Sequence, residues 1–182
     1  NVVFASTAYV FNAEQVDGER SLEPKPPSSE GANERNAEIE SFITATNAVI
    51  SYGGETACYI PSVDKILMPD IDTFHSAGHF YSTSFHELIH WTGAKDRLNR
   101  ELSTKYGSEN YAYEELVAEL GAAFLAADWG ITNNVRDDHA KYLKGWLKIM
   151  KQNSTAIVSA ASLASKAAEY ISDFSVKKSE AA

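Results

Sequence analysis

Cysteine occurs once in this chain of 182 residues, at Cys58, so no disulfide can close within it, a usage that fits a reducing cytoplasm. Positive charge is also scarce. Sixteen Lys and Arg stand against 25 Asp and Glu, a net charge of -9, which gives the chain no overall attraction to a phosphate backbone. DNA binding by this chain alone is therefore not expected; Lys141, Lys144, Lys148 and Lys151, which recur at helical spacing, read as a solvated face. No apolar run approaches the ~18 to 20 residues that span a bilayer, and the N-terminal residues lack the basic and apolar regions of a signal peptide. Neither membrane insertion nor export is expected. A first residue that is Asn and not Met suits a piece of a longer protein or a processed one.

What is present has the composition of a folded domain, with 44% hydrophobic and 23% charged residues, and the length suits one domain with a sizeable core. Histidine is rare, five in all, yet two fall in Phe85-His86-Glu87-Leu88-Ile89-His90. Positions i and i+4 of a helix put two imidazoles one above the other on one face, the spacing a metal ion needs to take a nitrogen from each. Glu87 lies about 100° round the same helix, within reach of a metal-bound water. Tyr81, Phe85 and Leu88 give the segment an apolar stripe, and Gly93 ends it. These features predict a zinc hydrolase with Glu87 as general base, taking a proton from water and returning it to the leaving amine.

A catalytic zinc takes three protein ligands, so one more must come from elsewhere. Residues 111–129 read as a helix whose Tyr113, Leu116, Val117, Leu120, Phe124 and Ala127 form a broad apolar face; Glu115 lies opposite, beside Ala118, Ala122 and Ala126. A face of alanines allows a second helix to come close, and a carboxylate there needs a metal or hydrogen bonds to compensate it. Glu115 is the expected ligand. Glu119, one turn on, either orients a ligand histidine through its free ring N–H or stays solvated, and Glu114 reads as a solvated or capping carboxylate. His75 and His79, ahead of the motif, stay open as alternative ligands. For stabilising an oxyanion the chain offers Tyr106, Tyr111, Tyr113, Arg97 and His139 without ranking them.

Elsewhere, residues 2–11 read as a strand and 21–35, with Pro24, Pro26, Pro27 and Gly31, as a flexible loop. A helix is expected over 36–47, and a hairpin from 57–60 and 65–68 around Pro61-Ser62-Val63-Asp64, whose edge could take an extended peptide as an added strand. Residues 95–110 read as a polar connection. Helices are expected over 137–150 and over 154–174, the latter with a seam of Ile157, Ala161, Ala164, Ala168 and Ile171; residues 175–182 read as a frayed tail. The fold class predicted is α+β, helix-rich with a small twisted sheet, in one domain over 1–174.

Phe11-Asn12-Ala13-Glu14-Gln15, Tyr59 with Lys65-Ile66-Leu67-Met68-Pro69, His86 through Gly93, Arg97-Leu98 and Glu114 through Leu120 together resemble the ArdC-type antirestriction proteins. More narrowly, they resemble the zincin-like metallopeptidase domain at the C-terminal end of those proteins and in polyvalent proteins of phages and conjugative elements. The resemblance implies a gluzincin-like zinc peptidase with one Zn2+, His86, His90 and Glu115 on ligand positions and Glu87 on the catalytic one. The spacing Glu115-x-x-Ala118-Glu119 resembles the third-ligand helix of other zincins. It further implies a bacterial cytoplasmic protein, deliverable to a recipient cell, that protects incoming DNA and acts on a protein or peptide substrate or on restriction-system proteins. The single-stranded-DNA-binding domain of full-length relatives has no match in this chain. A rival expectation is an antirestriction or DNA-escort binding module whose zinc is structural or vestigial.

Overall fold

The computed structural model describes residues 34–102, 108–131 and 139–180; the strand expected at 2–11 and most of the loop expected at 21–35 lie outside them. Helix α1 (Ala37–Ala45) starts where Asn36 caps it, the side-chain oxygen accepting from the backbone N–H groups of Glu38 and Ile39, which a helix start otherwise leaves unpaired. Its buried face is Ile39, Phe42 and Ile43, at the three- and four-residue spacing of one helix side.

Strand β2 (Cys58–Ile60) and strand β3 (Lys65–Met68) form the expected antiparallel hairpin, joined by a 3-10 turn at Pro61–Val63 with Asp64 in the left-handed region at φ 47°. The sheet has a third strand, β1 (Val49–Tyr52), parallel to β3, in the order β1-β3-β2. β3 is thus central and buries Ile66 and Met68 on one face, whereas β2 has one edge unpaired within the sheet. β1 was not expected because Val49 and Ile50 are adjacent apolar residues and so do not show the apolar alternation that marks a half-buried strand; in the structure its ends, Val49 and Tyr52, are exposed.

Helix α2 (Ala77–Thr92) carries the His-Glu-x-x-His segment and is buried nearly all round, with Phe80, Tyr81, Phe85, Leu88 and Ile89 in the core. Each such side chain contributes on the order of 1.5–3 kcal/mol through burial. Ser76 caps its start by accepting from His79 N–H. Helix α3 (Glu109–Asp128) packs between α2 and helix α5 (Ala156–Glu180), while helix α4 (His139–Gln152) fixes the first part of α3 through Trp146 Nε1–H, which donates to Ala112 O at 3.0 Å.

Two faces differ from their sequence reading. On α3, Leu116 and Val117 of the expected apolar face are buried, but Phe124 and Ala127 are exposed and Tyr113 and Leu120 only half-buried, while Ala118, Gly121, Ala122, Leu125 and Ala126 are enclosed. The reason is proximity. Small residues let α2 approach so closely that a Cβ on Gly121 would lie 2.6 Å from Ile89 Cδ1. On α5 the seam keeps Ala164, Ala168 and Ile171 but takes in Ala156, Ala160 and Ala167 in place of Ile157, which is 43% exposed, and Ala161, half-buried. The α5 backbone also stays helical to Glu180, beyond the end expected at residue 174. No helix among the described residues is long and apolar enough to cross a membrane.

Candidate metal centre

Because His86 and His90 stand one turn apart on α2, their Nε2 atoms lie 3.1 Å from each other. Helix α3 brings Glu115 against both: its Oε2 is 3.5 Å from His86 Nε2 and its Oε1 3.5 Å from His90 Nε2. These three residues are, among the described residues, the group whose donor atoms converge as a metal ion requires. His75 and His79 stack on each other with centroids 6.0 Å apart, outside that group.

The ring nitrogens on the far side face carboxylates. His90 Nδ1 is 3.2 Å from Glu114 Oε1, and His86 Nδ1 is 3.3 Å from Glu119 Oε1, the second an ion-pair approach without good hydrogen-bond alignment. A carboxylate beside Nδ1 keeps the proton there and turns the lone pair of Nε2 toward Glu115. Two lone pairs facing each other at 3.1 Å, with a carboxylate completing the triangle, form a stable arrangement only around a proton or a cation. For bonds of 2.0–2.1 Å to a tetrahedral ion the ligand-to-ligand edge is about 3.3 Å, close to the 3.1 Å between the two Nε2 atoms, and Glu115 presents one carboxylate oxygen to each of them at 3.5 Å. The donor set fits a divalent metal.

Charge leads to the same fit. Glu87, Glu114, Glu115 and Glu119 against Arg100 leave this cluster three negative charges in excess when both imidazoles are neutral. Burial alone would lower the pKa of both histidines, but Glu115 and Glu119 raise that of His86, and Glu114 and Glu115 raise that of His90 to about 10. Burial would likewise raise the carboxyls; hydrogen bonds from the histidines hold Glu115 well below the usual range, and those from His90 and Arg100 hold Glu114 below it. A divalent cation would supply what these protons supply.

Glu114 is the main correction to the sequence reading: it is buried, not solvated, because Arg100 reaches it with Nε–H at 3.0 Å and NH2 at 2.8 Å. The same guanidinium donates to Thr92 Oγ1 at 2.8 Å and to Ile89 O at 2.6 Å, so it ties the carbonyl end of α2 to α3. Arg100 was missed because it sits in a polar connection with no periodicity. Glu114 had a signal, since it precedes Ala118, Ala122 and Ala126 by steps of four and shares their ridge. Gly93 ends α2 in a right-handed conformation; it is required by space, since a Cβ there would lie 2.6 Å from Leu102 Cδ2 and 3.0 Å from Arg100 NH2.

Glu87 Oε2 accepts from the backbone N–H of Tyr59, on the unpaired edge of β2, at 2.7 Å. A cavity of about 240 Å³ opens here, lined by Cys58, Tyr59, Glu87, His90, Tyr111 and Glu115 among others. Of the five candidates for oxyanion stabilisation, Tyr111 lines this cavity. The Arg97 guanidinium is committed elsewhere, to Asp64, Tyr59 and Trp91 O. Tyr113 packs half-buried against the core, with its pKa raised by burial and by Glu114. Tyr106 and the side chain of His139 lie outside the described residues.

A two-histidine, one-glutamate cluster with a glutamate at its side, on two helices beside a small sheet, defines a zincin-like architecture, and the family model of zincin-like metallopeptidases matches residues 37–163. The chain belongs to that family. It is 38% identical over 172 residues to the DNA primase TraC of Escherichia coli, which is 94% of this chain and 12% of TraC. To protein y4eC of Sinorhizobium fredii it is 38% identical over 170 residues, 93% of this chain and 54% of the other. Among solved structures, the antirestriction protein ArdC of plasmid R388 in a Mn(II)-bound crystal superposes with a TM-score of 0.75 at 38% identity, over 90% of this chain and 60% of ArdC. Metal-free ArdC gives a TM-score of 0.77 at 37% identity. The chain thus spans between about an eighth and three fifths of the length of these relatives.

Proposed function

We propose that this chain is the zinc-dependent metallopeptidase domain of an ArdC-like antirestriction protein, with His86, His90 and Glu115 as metal ligands and Glu87 as general base. The observation that carries the reading is the pair of Nε2 atoms 3.1 Å apart, each backed by a carboxylate at Nδ1 and closed by Glu115, with Glu87 beside them at a cavity. Zinc bound there would bring the pKa of a water to about 7 and polarise a substrate carbonyl. Glu87 has one oxygen on the Tyr59 amide, so the other is left to take the proton of the attacking water and deliver it to the leaving amine nitrogen. Tyr111, on the cavity wall, is the residue we assign to the developing oxyanion. Glu119 and Glu114 keep the two imidazoles turned toward the ligand position.

The substrate in this reading is a protein or peptide, and in the cell a component of the restriction machinery; neither DNA nor a membrane is a partner of this domain by itself. Its place of action is the cytoplasm. Substituting Glu87→Gln tests the assignment, because it keeps the shape and both histidines but removes the base. The variant should retain about one equivalent of metal and lose peptide cleavage by a factor of about 10²–10⁴. Equal cleavage by variant and wild type would rule out the mechanism, and full protection of transferred DNA by the variant would assign antirestriction to binding in place of cleavage.

A further inference from the structure

Arg97 is held at the β2–β3 turn, and its contacts lead back to Glu87. Its side chain is 7% exposed, the guanidinium carbon sits 4.1 Å above the Trp91 ring, and Nε–H donates to Trp91 O at 2.6 Å, anchoring it to the end of α2. From that anchor NH1 donates to Asp64 Oδ2 at 3.1 Å and NH2 to Tyr59 Oη at 3.1 Å, with a further contact from NH2 to Asp64 Oδ1; Tyr59 Oη–H closes the triangle on Asp64 Oδ1 at 2.9 Å. Asp64 is at the left-handed position of the β2–β3 turn, a conformation that Asp tolerates better than most residues. The triangle therefore fixes both ends of the hairpin bend to α2. Tyr59 is the residue that links it to the chemistry: its ring is held by Arg97 and Asp64 while its amide, turned away from β3, donates to Glu87 Oε2.

We infer that Arg97 is a positioning residue for the base, acting through Asp64 and Tyr59 to hold the β2 amide that orients the Glu87 carboxylate. The inference rests on the metallopeptidase reading for its kinetic consequence but not for its structural one. An edge-strand amide without an acceptor exchanges quickly with solvent, so protection of the Tyr59 amide reports the contact to Glu87 directly. A planar, stacked guanidinium that serves three acceptors has no equivalent in lysine, so Arg97→Lys should behave like Arg97→Ala.

The test combines amide hydrogen exchange on the 15N-labelled chain, zinc titration and peptide kinetics in Arg97→Ala, Arg97→Lys and Tyr59→Phe. Tyr59→Phe keeps the backbone donor and the ring and removes only the phenol link, so it serves where an Arg97 variant fails to fold. Exchange at residue 59 should accelerate at least about fivefold in each variant while Ile66 in β3 stays protected, and kcat should fall about 3- to 10-fold in Tyr59→Phe, the span of one net hydrogen bond. KM and zinc affinity should stay within about twofold of wild type. Unchanged exchange at residue 59, or a loss confined to KM, would reduce the triangle to a structural staple and overturn the inference. If wild type cleaved no peptide, the metallopeptidase reading would fall, and exchange at residue 59 would still decide whether the clamp holds the Glu87 contact.

Discussion

Gly121→Ala puts one methyl group where α2 and α3 touch, and its effect separates packing from helix propensity. In an exposed helix the change would stabilise by about 0.5–1 kcal/mol, because alanine loses less backbone freedom than glycine. Here the new Cβ would lie 2.6 Å from Ile89 Cδ1, 2.8 Å from Cγ1 and 3.2 Å from Cγ2, the first about 0.8 Å short of the 3.4 Å at which ordinary contact begins. Ile89 is fully buried, so it cannot swing into solvent, and overpacking of this kind costs about 1–3 kcal/mol. The steric cost outweighs the gain in propensity, and the net expectation is a loss of about 0.5–2 kcal/mol. There is a second consequence, because α2 carries both histidines and α3 carries Glu115. Any outward shift of α3 lengthens the two 3.5 Å spacings that close the proposed ligand set, so on that reading zinc affinity should fall at least about tenfold, or about 1.4 kcal/mol. Urea unfolding of the metal-free chain and zinc competition against a chelator read the two effects separately. Ile89→Val, which removes the nearest carbon, should recover part of both losses in the double variant. A Gly121→Ala chain that is more stable than wild type and binds zinc equally well would refute the packing argument.

Three other outcomes are expected. Arg100→Ala leaves the buried Glu114 carboxylate without its guanidinium and should destabilise the chain by about 3–5 kcal/mol in urea unfolding; a loss under about 1 kcal/mol would mean that Glu114 finds solvent. Zinc at about 100 times its dissociation constant should add about 2.7 kcal/mol and raise the melting temperature by roughly 5–10 °C, a shift that Glu115→Ala should abolish. The Asp64 pKa is lowered, first by the Arg97 hydrogen bond, so its contribution is complete above the ordinary value of 3.8 and is lost as pH falls through the folded value below it. Because Asp64 is half-exposed, that contribution is only about 0.2–1 kcal/mol, and the stability gap between wild type and Asp64→Asn should narrow below pH 3.8; a gap that stays constant down to about pH 2.5 would contradict the assignment.

Much of the α2–α3 pair was legible because local rules and tertiary packing agree there. The spacing of His86 and His90, the stop at Gly93 and the alanines around Glu115 each follow from helical periodicity. The hairpin was legible from Pro61 through Asp64. Less legible was everything decided by a neighbour. The pattern placed Phe124 toward the core with Leu116 and Val117, but only the latter two are buried, because where a neighbour stops covering a helix face cannot be read from that helix alone. Glu114 looked like an ordinary surface acid because its partner, Arg100, lies 14 residues back in an aperiodic segment. The turn at Asp64 and Arg97 joins residues 33 apart, with no pattern to link them.

The small-residue contact between α2, α3 and α5 also governs how this sequence can drift. Alanine gives up no side-chain freedom on burial, so the seam costs little to order, but it has no long side chains that can turn aside when a neighbour grows. Ala118, Ala122 and Ala126 of α3 and Ala160, Ala164 and Ala167 of α5 are almost fully buried. Enlargement at any of them strains the packing around α3, the helix that carries Glu115, whereas Phe124 and Ala127 face solvent and are free to vary. The centre is therefore protected less by its own polar residues than by a strip of methyl groups that admits almost no change.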